Sequence, residues 1–299
     1  MRITAAGVPQ RGPRRSHPGY RAGTVHRGEL AAGSAGVTTI AALLAVVRRW
    51  RALAVLAAGE TVTEDGCAIG LDLLTGTLVG FGWADAERGV LLAGAGPLPA
   101  QAVACAAMRR RKSIIVADLD GGAAACSQLA GWLGVPVAGA SGPGEAVAAA
   151  AVRAIRARSV LLASGGARPL LDDVAGVLAW LRERGLRADC LLWVSGCEAA
   201  EPGQLAELLA LGPTTGTAVL LSTSSAACAA ELARHSGLTV VCSATLAGRV
   251  IPIGTPGPAA DAVARQPRGA FTMIGPDQVL ANCRAVPINA AGLSMAGRR

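Results

Sequence analysis

The stretch GVLLAGAGPLPAQAVACAAMRRRKSIIVAD, residues 89–118, decides the fold. Residues 89–93 form a short, continuously apolar run; 99–111 have the length and composition of a helix; 113–117 are again short and apolar. A strand with one solvated face alternates in polarity. A strand that is apolar throughout is buried on both faces, which calls for a parallel sheet covered by helices on each side. The rhythm continues downstream. Strands are expected at 136–138, 159–163, 190–194, 218–222 and 239–242, separated by helices over 122–133, 145–156, 170–184, 203–211 and 225–235, with a further helix over 258–265. Upstream, 68–73 and 78–81 bracket a Thr75-Gly76 turn and read as a hairpin, and 270–274 with 278–281 read as a closing one. The pattern predicts an α/β fold: three layers, with a doubly wound, mostly parallel sheet and a C-terminal hairpin. Ligands of such sheets bind beyond the C-terminal ends of the strands, so function is expected just after Ala93, Ala117, Val194 and Ser222.

The chain has 299 residues and a formal net charge of +8. Of its 28 basic residues only Lys112 is a lysine. Residues 1–51 hold nine Arg and one Glu, and therefore the whole net charge; the remainder balances 19 basic against 19 acidic residues. The composition describes a basic arm on a neutral body. Residues 1–30, rich in Pro, Gly and Arg, are expected to be a disordered arm: a solvated tail, or a contact to nucleic acid or anionic lipid. Residues 31–66 read as a lead-in, with a helix over 38–49 and a strand over 52–56; 67–288 form the α/β domain and 289–299 a flexible tail. The most apolar stretch, 37–58, is interrupted by Arg48, Arg49 and Arg51, so no membrane span is expected. Nor is a secretory leader, because the N-terminal text is polar. The eight cysteines form no Cys-x-x-Cys pair and only three histidines accompany them, which excludes a zinc pattern. Most lie in apolar runs and are expected to be free core thiols in a reducing, cytoplasmic compartment.

The loops carry the chemistry. Gly94-Ala95-Gly96-Pro97-Leu98-Pro99-Ala100-Gln101 leads from a strand into a helix, the setting of a phosphate cradle. With Gly94 in the first position of G-x-x-x-x-G-K-[ST], Pro99 replaces the second glycine, Ala100 the lysine and Gln101 the magnesium-binding hydroxyl. Pro99 also lacks an N–H donor. An ordinary strand–helix turn is the competing reading. A second glycine-rich loop, 33–39, resembles the variant phosphate loop of ParA/MinD-type ATPases, but with Val37 where the lysine belongs. Lys112, in the run Arg109-Arg110-Arg111-Lys112, follows a helix and serves neither loop. It reads as a solvated helix end, or as a small phosphate-contacting patch. Asp118 and Asp120 follow one strand. Ser195 and Gly196 end another, in places where a metal- and water-positioning motif wants carboxylates, and Glu198 lies two residues on. Glu198 reads as a helix-start carboxylate or a water-orienting one. The hydroxyls of 222–225 read as a helix cap or a phosphate contact. There is no G-x-S-x-G, and His235 is the one histidine outside the arm, which leaves no hydrolase triad.

Taken in order, these segments resemble the motor domain of FtsK/HerA-type DNA translocases, including actinobacterial plasmid-transfer relatives. The likeness runs through 69–76 as the hairpin before the phosphate loop, 89–94 at the loop and 109–118 at the next helix end and strand. It continues through 195–198 at the acidic motif, 217–223 at the sensor strand, with Ser224 in place of the usual Gln, and 267–272 at the closing hairpin. It covers 67–288 and implies a P-loop NTPase fold, ATP with magnesium, double-stranded DNA as partner and assembly as a ring. It also implies that Gly94, Gly96, Gln101 and Asp118 border the nucleotide, and that Glu198 and Thr223 hold catalytic positions. The missing lysine and strand-end acid mark a degenerate member with impaired ATP hydrolysis. Such a protein is an accessory to DNA transfer or partitioning, as a homo-oligomer or as the partner of an active ATPase. Two alternatives stand beside it. One is a ParA/MinD-like ATPase built on loop 33–39, which requires the strand feeding Gly33 to be central in the sheet. The other is an α/β binding module without nucleotide chemistry.

Overall fold

The computed structural model describes residues 66–72, 78–94, 98–122, 124–141, 145–241, 270–275 and 279–285. The expected helices at 38–49 and 258–265, the strand at 52–56, loop 33–39, Gly96, the arm and the tail lie outside the described residues. The described chain opens with β1 (Gly66–Asp72) and β2 (Leu78–Gly82), a short helix α1 (Trp83–Glu87), then β3 (Val90–Ala93), α2 (Leu98–Arg109), β4 (Ser113–Asp118) and α3 (Ala124–Leu133). It continues through β5 (Val137–Ser141), α4 (Glu145–Ala157), β6 (Val160–Ser164), α5 (Ala167–Glu183) and β7 (Cys190–Ser195). After a 3-10 turn at Cys197–Ala199 come α6 (Pro202–Thr215), β8 (Ala218–Thr223), α7 (Ala226–Leu232), β9 (Leu238–Val241), β10 (Ala270–Ile274) and β11 (Val279–Ala285).

These strands form one sheet in the order β2-β1-β11-β10-β9-β3-β8-β7-β4-β6-β5. From β9 to β5 every neighbouring pair is parallel. The hairpins β1–β2 and β10–β11 extend the sheet antiparallel beyond β9. The expected α/β architecture, with its mostly parallel sheet and closing hairpin, is present.

Burial on both faces explains the continuously apolar strands. Along β3, Leu91 and Ala93 face one core while Val90 and Leu92 face the other; Ile115 and Ala117 against Ile114 and Val116 repeat this in β4, and Leu192 and Val194 against Leu191 and Trp193 in β7. The two cores lie under different helices. Buried residues of α2 and α3 line one, and those of α4, α5, α6 and α7 the other. Crossover handedness dictates this. The chain steps toward the β5 edge through α2 and α3, then returns through α4 to α7, and right-handed crossings in opposite directions must cover opposite faces.

The structure shifts some boundaries. The strand expected at 136–138 is β5, which runs to Ser141 because it pairs along β6. Its side chains are mostly exposed at the sheet edge, so hydrophobicity marked it poorly. Helix α6 continues past Leu211 through Pro213 and stops at Gly216, whose φ of 67° suits glycine. Helix α1 is too short to show a period; the Asp85 carboxylate secures its start by accepting from the Gly82 N–H at 3.1 Å.

Candidate functional site

The connections out of β3 and β8 leave on opposite faces, into α2 and α7, and open a crevice at the C-terminal ends of these neighbouring strands. Ala93 lies beside Thr223 in the ladder, and the Gly94 N–H donates to the Thr223 carbonyl at 2.8 Å. Gly94 then turns with a φ of 69°, left-handed and favourable only to glycine. Residues 95–97 lie outside the described residues, and α2 begins at Leu98. Ala100, at the lysine position of a phosphate loop, is 2 % exposed and packed in the core; Gln101 is half-buried.

The end of β7 faces the end of β4. Ser195, 4 % exposed, donates through Oγ to Asp120 Oδ1 at 2.7 Å, and the Gly122 N–H donates to the same oxygen at 2.9 Å. The Asp118 carboxylate accepts from the Gly121 N–H at 2.8 Å and so shapes its own loop. Gly196 has a φ of 76°, and a Cβ there would stand 2.7 Å from the Asp120 Cβ. Both the left-handed backbone and the approach of Asp120 therefore disfavour a side chain at this position. At this strand end Ser195 is thus engaged by Asp120, and the Gly196 turn lies close against the same residue.

Glu198, from the 3-10 turn, reaches the end of β8 instead. Thr223 Oγ1 donates to Glu198 Oε2 at 2.8 Å, and Ser224 Oγ donates to Oε1 at 2.6 Å. Partial burial pushes this carboxyl upward, but the hydrogen bonds from Ser224, its own backbone and Thr223 outweigh burial and hold it below its ordinary value. Glu198 and Thr223 are therefore in contact, and Thr223 in turn carries the β3 turn on its carbonyl. Ser225 caps α7, its Oγ accepting from the Cys228 N–H at 3.3 Å, as expected. Ser224 was legible only as one of a run of hydroxyls. The Asp120–Ser195 and Trp193–Ser222 hydrogen bonds, the second at 3.1 Å, had no signal in the sequence because each joins distant segments.

Among the described residues that follow β3, β4, β7 and β8 up to the next helix, none is Lys or Arg. Lys112 sits before β4, at the opposite end of the sheet, where its Nζ is 3.9 Å from Asp189 and 4.6 Å from the centre of the Trp83 ring. At about 3.3 Å per residue, the length of β4 keeps it some 16 Å or more from the crevice. Ala100, where a G-x-x-x-x-G-K-[ST] motif counted from Gly94 would place its lysine, is buried, and the strand end after Val194 carries Ser195 and Gly196.

The architecture has relatives among solved structures. VirB4 of Thermoanaerobacter pseudethanolicus superposes with a TM-score of 0.52 at 9 % identity, over 78 % of this chain and 99 % of that one. The cytoplasmic domain of the Thermomonospora curvata type VII secretion ATPase EccC superposes with a TM-score of 0.50 at 13 % identity, over 77 % of this chain and 28 % of that one. The fold is that of the P-loop ATPases. The genome packaging NTPase B204 of Sulfolobus turreted icosahedral virus 2, in complex with AMPPCP, matches with a TM-score of 0.47 at 11 % identity, over 66 % of this chain and 97 % of that one. No family model matches the sequence, and no curated protein matches it significantly. In the P-loop arrangement the strand feeding the phosphate loop is central, and here that place belongs to β3, between β8 and β9, as a loop at Gly94 requires. Among the described residues no helix is long and apolar enough to cross a membrane.

Proposed function

We propose that the protein is a degenerate P-loop protein of FtsK/HerA type, an accessory to DNA transfer or partitioning that does not turn over ATP appreciably. The observation that carries this reading is the pairing of a buried Ala100 at the phosphate-loop lysine position with the displacement of Lys112 to the far end of the sheet. A lysine at that loop neutralises charge on the transferring phosphoryl group in ground and transition states alike, and much of the catalytic effect of such sites is electrostatic. In this reading Gly94, Gly96, Gln101 and Asp118 border a weakened or vestigial nucleotide site. Glu198 serves as a strut between β7 and β8 through Thr223 and Ser224, in the place where an active enzyme would orient water. The protein acts beside an active ATPase or in a homo-oligomer, with double-stranded DNA as the polymer handled. The central position of β3 favours Gly94 over loop 33–39 as the site of the original cradle.

Two measurements test it. Titration with labelled ATP and magnesium is expected to show affinity no tighter than the millimolar range. ATPase turnover, with and without duplex DNA, is expected to stay at background; turnover of about 1 s⁻¹ or more, ordinary for working enzymes, contradicts the reading.

A further inference from the structure

The seven parallel strands all begin at the end of the sheet opposite the crevice, so the last helical turns and loops that precede them share one face of the molecule. That face is divided. Strands β7, β4, β6 and β5 are consecutive neighbours. Ahead of them stand Arg182, Arg184 and Arg187, the run Arg109 to Lys112, and Arg156 with Arg158. Glu183 and Asp189 are the carboxylates in these segments, so nine cations face two anions. Ahead of β3, β8 and β9 the balance is reversed: Asp85, Glu87 and Glu231 stand against Arg88 and Arg234. Asp189 is already engaged by Lys112 and Arg187. Arg111, Arg156, Arg158, Arg182 and Arg184 are all exposed, and among the described residues none of them forms an ion pair. Arg111 and Arg158, ahead of adjacent strands, each hold a left-handed backbone with a φ of 52°, where glycine is the usual residue after a helix. Arginine thus occupies two places in which glycine would relax the chain.

Large apolar side chains are exposed in the same half. Among the described residues these are Trp132 at 37 %, Val137 at 41 % and Leu186 at 46 %, in the last turn of α3, at the start of β5 and in the loop ahead of β7. The starts of β7 and β5 are three strand spacings apart, about 14 Å. Leu186 therefore flanks the arginines on one side, and Trp132 with Val137 on the other. Exposed apolar residues scattered singly carry little meaning, but here all three border one block of uncompensated positive charge. A nucleic acid would engage the arginines through its phosphates and leave Leu186 and Val137 in water. An anionic bilayer surface takes both: its headgroups accept from the guanidinium groups, the apolar side chains enter the boundary between headgroups and acyl chains, and tryptophan favours that level. We propose that the half-face formed by Arg182, Arg184, Leu186, Arg111, Arg156 and Arg158, bordered by Trp132 and Val137, is a docking surface for an anionic lipid bilayer, to which the protein binds peripherally. The crevice then points away from the membrane. No crevice residue takes part, so this surface stands apart from the nucleotide reading.

The test is co-sedimentation of the full chain, without nucleotide, with vesicles of equimolar phosphatidylcholine and phosphatidylglycerol, set beside vesicles of phosphatidylcholine alone and a duplex DNA. The parent is expected to bind the anionic vesicles, more weakly as salt is raised, and not the neutral ones. The double variant Arg111→Gly, Arg158→Gly removes two charges and relaxes two left-handed residues. It is expected to keep or raise the urea midpoint while weakening vesicle binding by about tenfold or more. Leu186→Ser, at an exposed loop position, is expected to weaken vesicle binding severalfold and to leave binding of the duplex as in the parent. The arginine-rich residues 1–51 are present in every protein, so differences between variants report on this face. A parent that does not bind anionic vesicles, a double variant that binds them as the parent does, or a Leu186→Ser variant with parental vesicle binding would each overturn the proposal. A double variant that loses the duplex but keeps the vesicles would overturn it too, and assign the arginines to nucleic acid.

Discussion

Glu198 shows how one side chain ties two strands. Its carboxylate accepts from Thr223 and Ser224, so β7 and β8 are linked beyond their ladder. Its pKa lies below the ordinary 4.5, which sets the sign of its pH dependence. A carboxylate depressed in the folded state stabilises fully above its unfolded pKa, and that contribution is lost as pH falls through the folded one. Glu198→Gln is therefore expected to cost about 1 kcal/mol at pH 7 in urea unfolding, with the difference from the parent shrinking as the pH falls below the ordinary carboxyl value and through the lowered folded one. The cysteines behave differently. Burial pushes Cys67 and Cys126 to about 12 and Cys190 to about 11, so their thiols stay protonated and inert. All seven described cysteines are free, and Cys228 is the one not fully buried. Titration of the native protein with an aromatic disulfide reagent is expected to modify Cys228 well before the other six described cysteines, which should react only on unfolding. The thiols' burial was readable from their apolar surroundings. The partners of Glu198 were not, because a hydrogen bond between residues 25 or 26 apart leaves no local pattern.

At the scale of elements, the start of α2 and the end of β7 carry the residues on which the proposed reading turns. Ala100→Lys places an ammonium in a position that is 2 % exposed, among core side chains. It is expected to destabilise by about 2 kcal/mol or more, measured by thermal or urea unfolding, and to restore no ATPase activity, since Pro99, Gln101 and Ser195 remain. Gly196→Ala is expected to cost a similar amount, from the left-handed backbone together with the approach to Asp120, with the loss read as a lowered urea midpoint. Most elements were legible from the sequence because burial on both faces made their strands uniformly apolar. Edge strand β5 was displaced because its exposure removed that signal, and α1 was missed because a helix of five residues is shorter than two turns. The single lysine is legible in the sequence; the approach of Asp120 to Gly196 is not, because it joins segments far apart in the chain.

For the molecule as a whole, the order of strands gives the sequence its meaning. The placement of β3 between β8 and β9 brings Gly94, Thr223 and Glu198 to one end of the sheet, while Lys112 stays at the other. The neutral charge of the body follows the same division. Crossover helices begin at the crevice end and finish at the other, and the helix dipole favours acids at starts and arginines at ends. Glu201 is the N-cap of α6, and Arg156 and Arg182 lie in the last turns of α4 and α5. In the proposed reading a P-loop ATPase architecture persists here without its hydrolytic chemistry. The most direct test is steady-state phosphate release by the purified full chain at saturating magnesium–ATP, with and without duplex DNA. The expected result is no release above background under either condition; DNA-stimulated release at about 1 s⁻¹ or faster would contradict it.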